Sequence, residues 1–329
     1  MPVHNLTFFL LFLVVLFQTF EVLPIPRLPG LPIVPETINA PIHGMIVYVT
    51  NPLDTQGIVT RNIMSLSKQE TEFLATFFEK GKTIFAFPDA LEFWVSPDAT
   101  MNALGRLVKN RWLFRLENGL YMIIPLEAGP ERQWSENALI IASHLVSPGA
   151  VAYWSALRFW NMTEQLPRVQ FIQTTKRKRS VSIQGVDYRF VTVSEKRFFG
   201  TVSRQIEGQS INVTDREKTL IDAADRPDLS GGIVQLSEAM STAQDQIDWE
   251  KLTEYLEKWG GGAAAKRLGY VLEFLGLPIP NRELILSKWQ SMISKGISPL
   301  EPGSPKAGPT LVRWQLQINV PSLLPKDNR

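Results

Sequence analysis

SPDATMNALGRLVKNRWLFRLENGLYMI, residues 96–123, is the stretch on which the reading of this chain turns. Ser96 before Pro97 is a helix cap followed by proline at the first helical position, where its fixed φ fits and its missing N–H costs nothing. The spacing predicts a helix from Pro97 to about Lys109, with Met101, Leu104, Leu107 and Val108 on the apolar face. Thr100, Asn102, Arg106 and Lys109 are then left for solvent. Beyond it, Trp112–Leu116 and Leu120–Ile123 flank Glu117, Asn118 and Gly119. An Asn-Gly pair between two β-rich runs predicts a hairpin whose turn residues both take positive φ.

Working outward, Ser67-Lys68-Gln69-Glu70 fits a capping box, and Phe73, Leu74, Phe77 and Phe78 recur on one face of a helix predicted over Lys68 to Lys80, with Gly81 after its end. Thr83 to Phe87 suits a short strand. Pro88-Asp89 opens a second helix carrying Ala90, Leu91 and Trp94. Three helices followed by a hairpin is the order of a winged helix-turn-helix. The predicted fold class is α+β, with a winged helix at 64–124, a linker at 125–134 marked by Pro125, Gly129 and Pro130, and a larger mixed α/β C-terminal domain with a helical tail at 135–329.

Charge is polarised along the first domain. Acids outnumber bases six to three from Lys68 to Asp98, whereas Met101 to Arg115 holds Arg106, Lys109, Arg111 and Arg115 and no acid. Since the net charge of the whole chain is only +2, nucleic-acid binding has to come from such clustering. Thr100, Asn102, Arg106, Lys109, Arg111 and Arg115 are the candidate DNA contacts, cations for phosphates and Asn102 or Arg106 for base edges. Small winged helices also serve as protein-docking modules, which is the competing account.

The chain has 329 residues and no cysteine, which removes thiol nucleophiles, disulfides and Cys-based zinc sites together. His144 is the one histidine beyond residue 43. No catalytic group, metal or cofactor is expected. Residues 1–60 carry only Glu21, Arg27, Glu36 and Asp54 as charged groups, and prolines recur through them. The apolar run Leu6 to Phe20 is shorter than the ~20 residues a membrane helix needs and lacks a basic flank. Residues 1–63 are expected to be a non-native upstream extension, with translation starting at Met45 or Met64; a membrane-anchored leader is the alternative.

In the second half, Ser135 to Leu145 and Ala150 to Trp160 read as helices, and Arg168 to Thr175, Val186 to Val193, Phe198 to Arg204 and Ser210 to Val213 as strands. Lys176, Arg177, Lys178 and Arg179 form a cationic loop that is either simply solvated or a second phosphate contact. Thr214 to Glu217 resembles another capping box, starting a helix that places Asp215, Lys218 and Asp222 on one face. That trio admits a metal or nucleophile reading, and equally a structural one in which acids favour the helix start and Lys218 pairs with Asp222. Helices are predicted at Trp249 to Trp259, Ala263 to Leu275 and Arg282 to Ser294, the last capped by Asn281. Thr310 to Val320 is read as a strand returning to the main sheet.

Residues 125–137, PLEAGPERQWSEN, the tract Tyr153-Trp154-Ser155-Ala156-Leu157, and Asp215 to Ala223 with Asp225-Arg226-Pro227 and Gly231-Gly232 together resemble the AbiEi family, antitoxins of AbiE-type (type IV) toxin–antitoxin systems. The resemblance spans about Met64 to Met240. It implies a cytoplasmic repressor that binds inverted repeats of double-stranded DNA in its own promoter, as a homodimer or two cooperative monomers, and counters an AbiEii-like nucleotidyltransferase toxin without a stable complex. It also implies that neutralisation resides in the C-terminal domain, where Asp215, Lys218, Thr219, Asp222, Asp225, Arg226 and Pro227 match the motif. The rivals are a winged-helix regulator whose second domain senses a ligand or partner, and an enzyme acting on nucleic acid through Asp215, Lys218 and Asp222.

Overall fold

The computed structural model describes residues 66–129 and 131–324, so the expectations for residues 1–63 lie outside the described residues. The chain is mixed α/β and divides into two compact units between Gln133 and Trp134.

The first unit runs α1 (Lys68–Glu79), β1 (Ile84–Ala86), α2 (Phe87–Ala90), α3 (Pro97–Lys109), β2 (Leu113–Glu117) and β3 (Leu120–Ile123). Ser67 caps α1 by accepting from the Glu70 amide at 3.2 Å, while Glu70 reaches back to the Ser67 amide at 2.9 Å. Ser96 likewise caps α3 through the Ala99 amide. The second helix is shorter than its sequence suggests. Phe87 to Ala90 makes one α turn, Leu91 to Phe93 a single 3-10 turn, and Trp94 is already extended. The three strands form an antiparallel sheet in the order β1-β3-β2. In the hairpin turn only Gly119 has positive φ, so Asn118 departs from the expected conformation.

Phe73, Phe77, Phe85, Leu104, Leu107, Trp112 and Tyr121 fill the core of this unit. Phe73 is its centre, with Phe77, Phe85, Phe93 and Trp94 rings all within 5.3 Å of its own. Such tilted and edge-on pairs add to the stabilisation given by buried apolar area.

The second unit begins with α4 (Ala138–Leu145), β4 (Ala150–Val151) and α5 (Tyr153–Phe159). Asn137 caps α4, so the helix starts three residues later than predicted. The expected helix from Ala150 is interrupted because Ala150 and Val151 pair with other strands before the chain turns at Tyr153, whose φ is +54°. There follow β5 (Val169–Thr174), β6 (Val181–Ile183), β7 (Val186–Thr192), β8 (Thr201–Ile206) and β9 (Gln209–Thr214). They build a six-stranded mixed sheet, β6-β7-β5-β4-β9-β8, in which β5–β7 and β4–β9 are parallel.

β9 leads directly into α6 (Arg216–Asp225); α7 (Gly232–Ala243), α8 (Trp249–Trp259) and α9 (Gly262–Leu275) pack around it, and α10 (Arg282–Ser291) packs on α8 and α9. Asn281 does precede α10, but in the left-handed conformation and with no side-chain cap bond. The tail does not rejoin the large sheet. A left-handed turn at Gln315 splits the predicted strand into β11 (Thr310–Leu311) and β12 (Leu316–Gln317), which with β10 (Ser298–Pro299) form a separate small sheet. Trp314, Leu316, Ile318 and Leu323 are buried in the helical core. Among the described residues no helix is long and apolar enough to cross a membrane.

Gly269 lies under the Trp314 indole, so a Cβ there would run into a rigid ring with nowhere to swing. Gly269→Ala should gain ~1 kcal/mol of helix propensity but lose more by overpacking, typically about 1–3 kcal/mol and here at the upper end. A thermal melt that shows an unchanged or raised midpoint would contradict this packing.

Candidate nucleic-acid interface and the buried α6 cluster

On α3, Asp98, Met101, Asn102, Gly105, Arg106 and Lys109 form one exposed stripe. Two predicted residues trade places. Thr100 is fully buried, its hydroxyl donating to the Ser96 carbonyl, so it has no access to a ligand; Met101, expected in the core, is 59% exposed. The reason is helical phase: Thr100 shares the inward arc with Ala103, Leu104 and Leu107.

Asn102 and Lys109 are exposed. Arg106 is also exposed but already engaged, with both Nε and a terminal nitrogen on Glu70 Oε1 at 3.2 and 3.0 Å. Glu70 therefore caps α1 and ties it to α3. Arg111 and Arg115 are exposed as well. Arg111 donates to the Glu131 carbonyl, and Arg115 curls over the hairpin tip to the Glu117 carbonyl and Asn118 Oδ1. Asn102, Arg106, Lys109, Arg111 and Arg115 are thus all exposed on one small unit.

In the second unit, Lys176, Arg177 and Arg179 are exposed in the loop from β5 to β6. Lys178 folds inward, donating to the Leu145 carbonyl and lying 5.1 Å from the centre of the Phe190 ring.

The α6 motif is a buried polar cluster rather than an exposed face. Asp215, not Thr214, caps α6, accepting from the Lys218 amide at 2.9 Å. Thr214 instead meets Thr219, whose hydroxyl donates to the Asp215 carbonyl. Glu217 does not close a capping box; it accepts from the Asp248 amide and pairs with Lys251 at 2.8 Å. Lys251 also bridges to Asp215 at 2.9 Å. Burial works against its charge, yet the hydrogen bonds it donates to these two carboxylates hold its ammonium well above the ordinary lysine range.

Lys218 and Asp222 are wholly enclosed and paired with each other. Gln173 on β5 spans them, donating to Asp222 Oδ1 at 3.1 Å and accepting from Lys218 Nζ at 3.2 Å. It also donates to the Tyr153 hydroxyl. The Lys218 ammonium sits 4.5 Å from the centre of the Trp259 ring. Burial pushes the Asp222 carboxyl up despite the neighbouring ammonium, and raises the Tyr153 phenol as well. Asp225 accepts from the Trp259 indole, Arg226 pairs with Asp228 through two bonds of 2.8 and 2.7 Å, and buried Pro227 starts the turn that follows. Neither the cavity beside Asn137 and Arg158 nor the one beside Ser147 and Phe198 is lined by Asp215, Lys218 or Asp222.

Gln173, Tyr153, Lys251 and Tyr255 belong to this cluster and do not stand out in the sequence. One signal is there. Gln170 and Gln173 are three apart in a strand, so with a period of two they cannot share a face, and one of them must point inward.

No family model and no curated protein matches this chain. Among solved structures, the crystal structure of the RV2827C protein from Mycobacterium tuberculosis is similar, aligning over 76% of this chain and 91% of its own at 14% identity with a TM-score of 0.51. That likeness is one of fold.

Lys218→Met should destabilise the protein by roughly 3–5 kcal/mol because it strands the Asp222 carboxylate, whereas Lys218→Met with Asp222→Leu should recover most of that loss. The single variant should also be pH-dependent. With its carboxyl raised in the native state, the fold binds a proton that the unfolded chain lacks over the interval between the two pKa values. Stability therefore falls as pH rises through that interval and returns in part on acidification. Denaturant titrations of both variants across pH check this; equal losses in the two, independent of pH, would refute it.

Proposed function

We propose that the first unit is a winged helix-turn-helix and that the protein is a transcriptional autorepressor and antitoxin of a type IV toxin–antitoxin system. On this reading it acts in the cytoplasm, binds inverted repeats in its own promoter and counters a nucleotidyltransferase-like toxin without forming a stable complex with it. The observation that carries the reading is the α3 stripe. Asn102, Arg106 and Lys109 are exposed on a helix of 13 residues, with Arg111 and Arg115 following before and within the hairpin, and no acid occurs from Met101 to Arg115. A helix presented this way beside a hairpin suits the major groove, with the hairpin cations toward the backbone.

Asp215, Lys218, Thr219 and Asp222 serve, on this reading, to hold the antitoxin domain in shape. Full enclosure of Lys218 and Asp222 supports that role over an enzymatic one. The second reading is a winged-helix regulator whose second domain senses a small ligand. It draws on an open cavity of about 310 Å³ lined by Asn137, Ser155, Arg158, Leu166 and Gln170.

A mobility-shift titration on the DNA upstream of its own gene, with unrelated DNA alongside, tests the DNA arm. Lys109→Ala with Arg111→Ala should weaken binding and lower the slope of log affinity against log salt by about 1 for each phosphate no longer neutralised. Arg106→Ala is the poorer probe, because it also unpairs Glu70. Equal binding by wild type and variant would remove α3 as the DNA contact. Co-expression with the product of the neighbouring gene tests the antitoxin arm: growth rescue that survives Lys109→Ala with Arg111→Ala supports the first reading, and no rescue by the wild-type protein favours the second.

A further inference from the structure

On the second unit, at the edge of the six-stranded sheet, two arginines lean on one tryptophan. Trp160 is the C-cap just after α5, and its indole is fixed by a 2.7 Å bond from Nε1 to the Thr214 carbonyl where β9 gives way to α6. Arg216, the first residue of α6, places its guanidinium carbon 4.4 Å from the ring centre. Arg204, on β8, places its own at 5.3 Å. Arg204 and its cross-strand partner Ile211 share a face of the β8–β9 ladder, and β8 is the outer strand of the sheet with no neighbour beyond it among the described residues.

This pair lacks a counter-charge. Among the described residues no carboxylate bonds to Arg204 or Arg216. The acids flanking Arg216 in sequence are spent elsewhere: Asp215 on the Lys218 amide, Tyr255 and Lys251, and Glu217 on Lys251 and the Asp248 amide. The Nε of Arg216 is buried without an acceptor, and Arg204 bonds only to the Ser203 carbonyl of its own strand. An aromatic face attracts each cation, but two cations drawn to one ring repel each other. The repulsion is relieved by an external anion that accepts planar, forked hydrogen bonds, and phosphate geometry suits guanidinium forks.

We propose that Arg204, Arg216 and Trp160 form a nucleic-acid contact on the second unit, which takes the phosphodiester backbone independently of α3. The flat guanidinium surfaces suit a strand passing across them, since bases stack on arginine planes. The outer strand β8, with Ser203, Arg204 and Gln205 exposed, keeps the approach open.

The test uses the full chain carrying Lys109→Ala and Arg111→Ala, which quiets α3, and follows fluorescence anisotropy of a short labelled oligonucleotide, single-stranded and duplex, as salt is raised. Salt-sensitive binding should persist in this variant. Adding Arg204→Gln and Arg216→Gln should weaken it about tenfold and lower the salt slope by about 1.5, as expected when two phosphates go without their cations. Arg204→Lys with Arg216→Lys, which keeps charge but not the stack, should fall between. Arg204→Gln alone, on an exposed strand, serves if the pair proves poorly folded by circular dichroism.

Unchanged affinity and slope with both glutamines in place would overturn the proposal, as would loss of all binding in the starting variant. Displacement of the oligonucleotide by polyglutamate at equal charge concentration would overturn the assignment to nucleic acid in favour of an acidic protein. Failure of the α3 reading is seen separately, as identical binding by wild type and the Lys109→Ala, Arg111→Ala protein.

Discussion

The second unit is organised around one buried ion pair. Lys218 and Asp222 stand four apart on α6 and face the sheet, where Gln173 of β5 bonds to both. A bare charge in such surroundings would be prohibitive; a pair with its remaining bonds met is tolerable. Asp222 still keeps one oxygen without a partner among the described residues, so the cluster is not fully satisfied. That condition dictates the placement of its neighbours. Asp215 must cap the helix to set its start, Tyr255 and Lys251 must reach Asp215, and Trp259 must cover the ammonium. Helices α5, α7, α8 and α9 then pack around α6. Apolar packing supplies the stability, and the polar cluster supplies the register in which the helix meets the sheet.

In the first unit the comparable constraint is Glu70. Its carboxylate closes the capping box of α1 and holds Arg106 of α3. The same residue that begins one helix orients the other, and the aromatic core around Phe73 fills the space between. The cationic stripe is therefore presented by a helix fixed at its base and along its length.

Local chemistry is legible where a few adjacent residues decide the outcome. The capping box at Ser67 and Glu70, Ser96-Pro97 at the start of α3 and the Asn118-Gly119 turn each depend on neighbours within four positions, and each lies where the sequence puts it. Legibility fails where distant pairing decides. Ala150 and Val151 have helical neighbours, yet β5 and β9 capture them as a strand. The tail from Thr310 has the pattern of one strand, but Gln315 folds it on itself, and Thr100 and Met101 differ in burial by a single step of helical phase. Of the α6 cluster, the Lys218–Asp222 spacing can be read, but Gln173, Tyr153 and Tyr255 come from separate elements, and only the fold brings them in.

Trp314 has a bearing on how the protein is made. Its ring covers Gly269 on α9, and Leu316, Ile318 and Leu323 lie in the same core as α6 to α9. During synthesis that helical core stays unsealed until these late residues have emerged from the ribosome, whereas the described core of the first unit lies within residues 66–124 and can close far earlier. A nascent chain would then carry a finished basic unit ahead of an unfinished second one, and chaperone demand should centre on the latter.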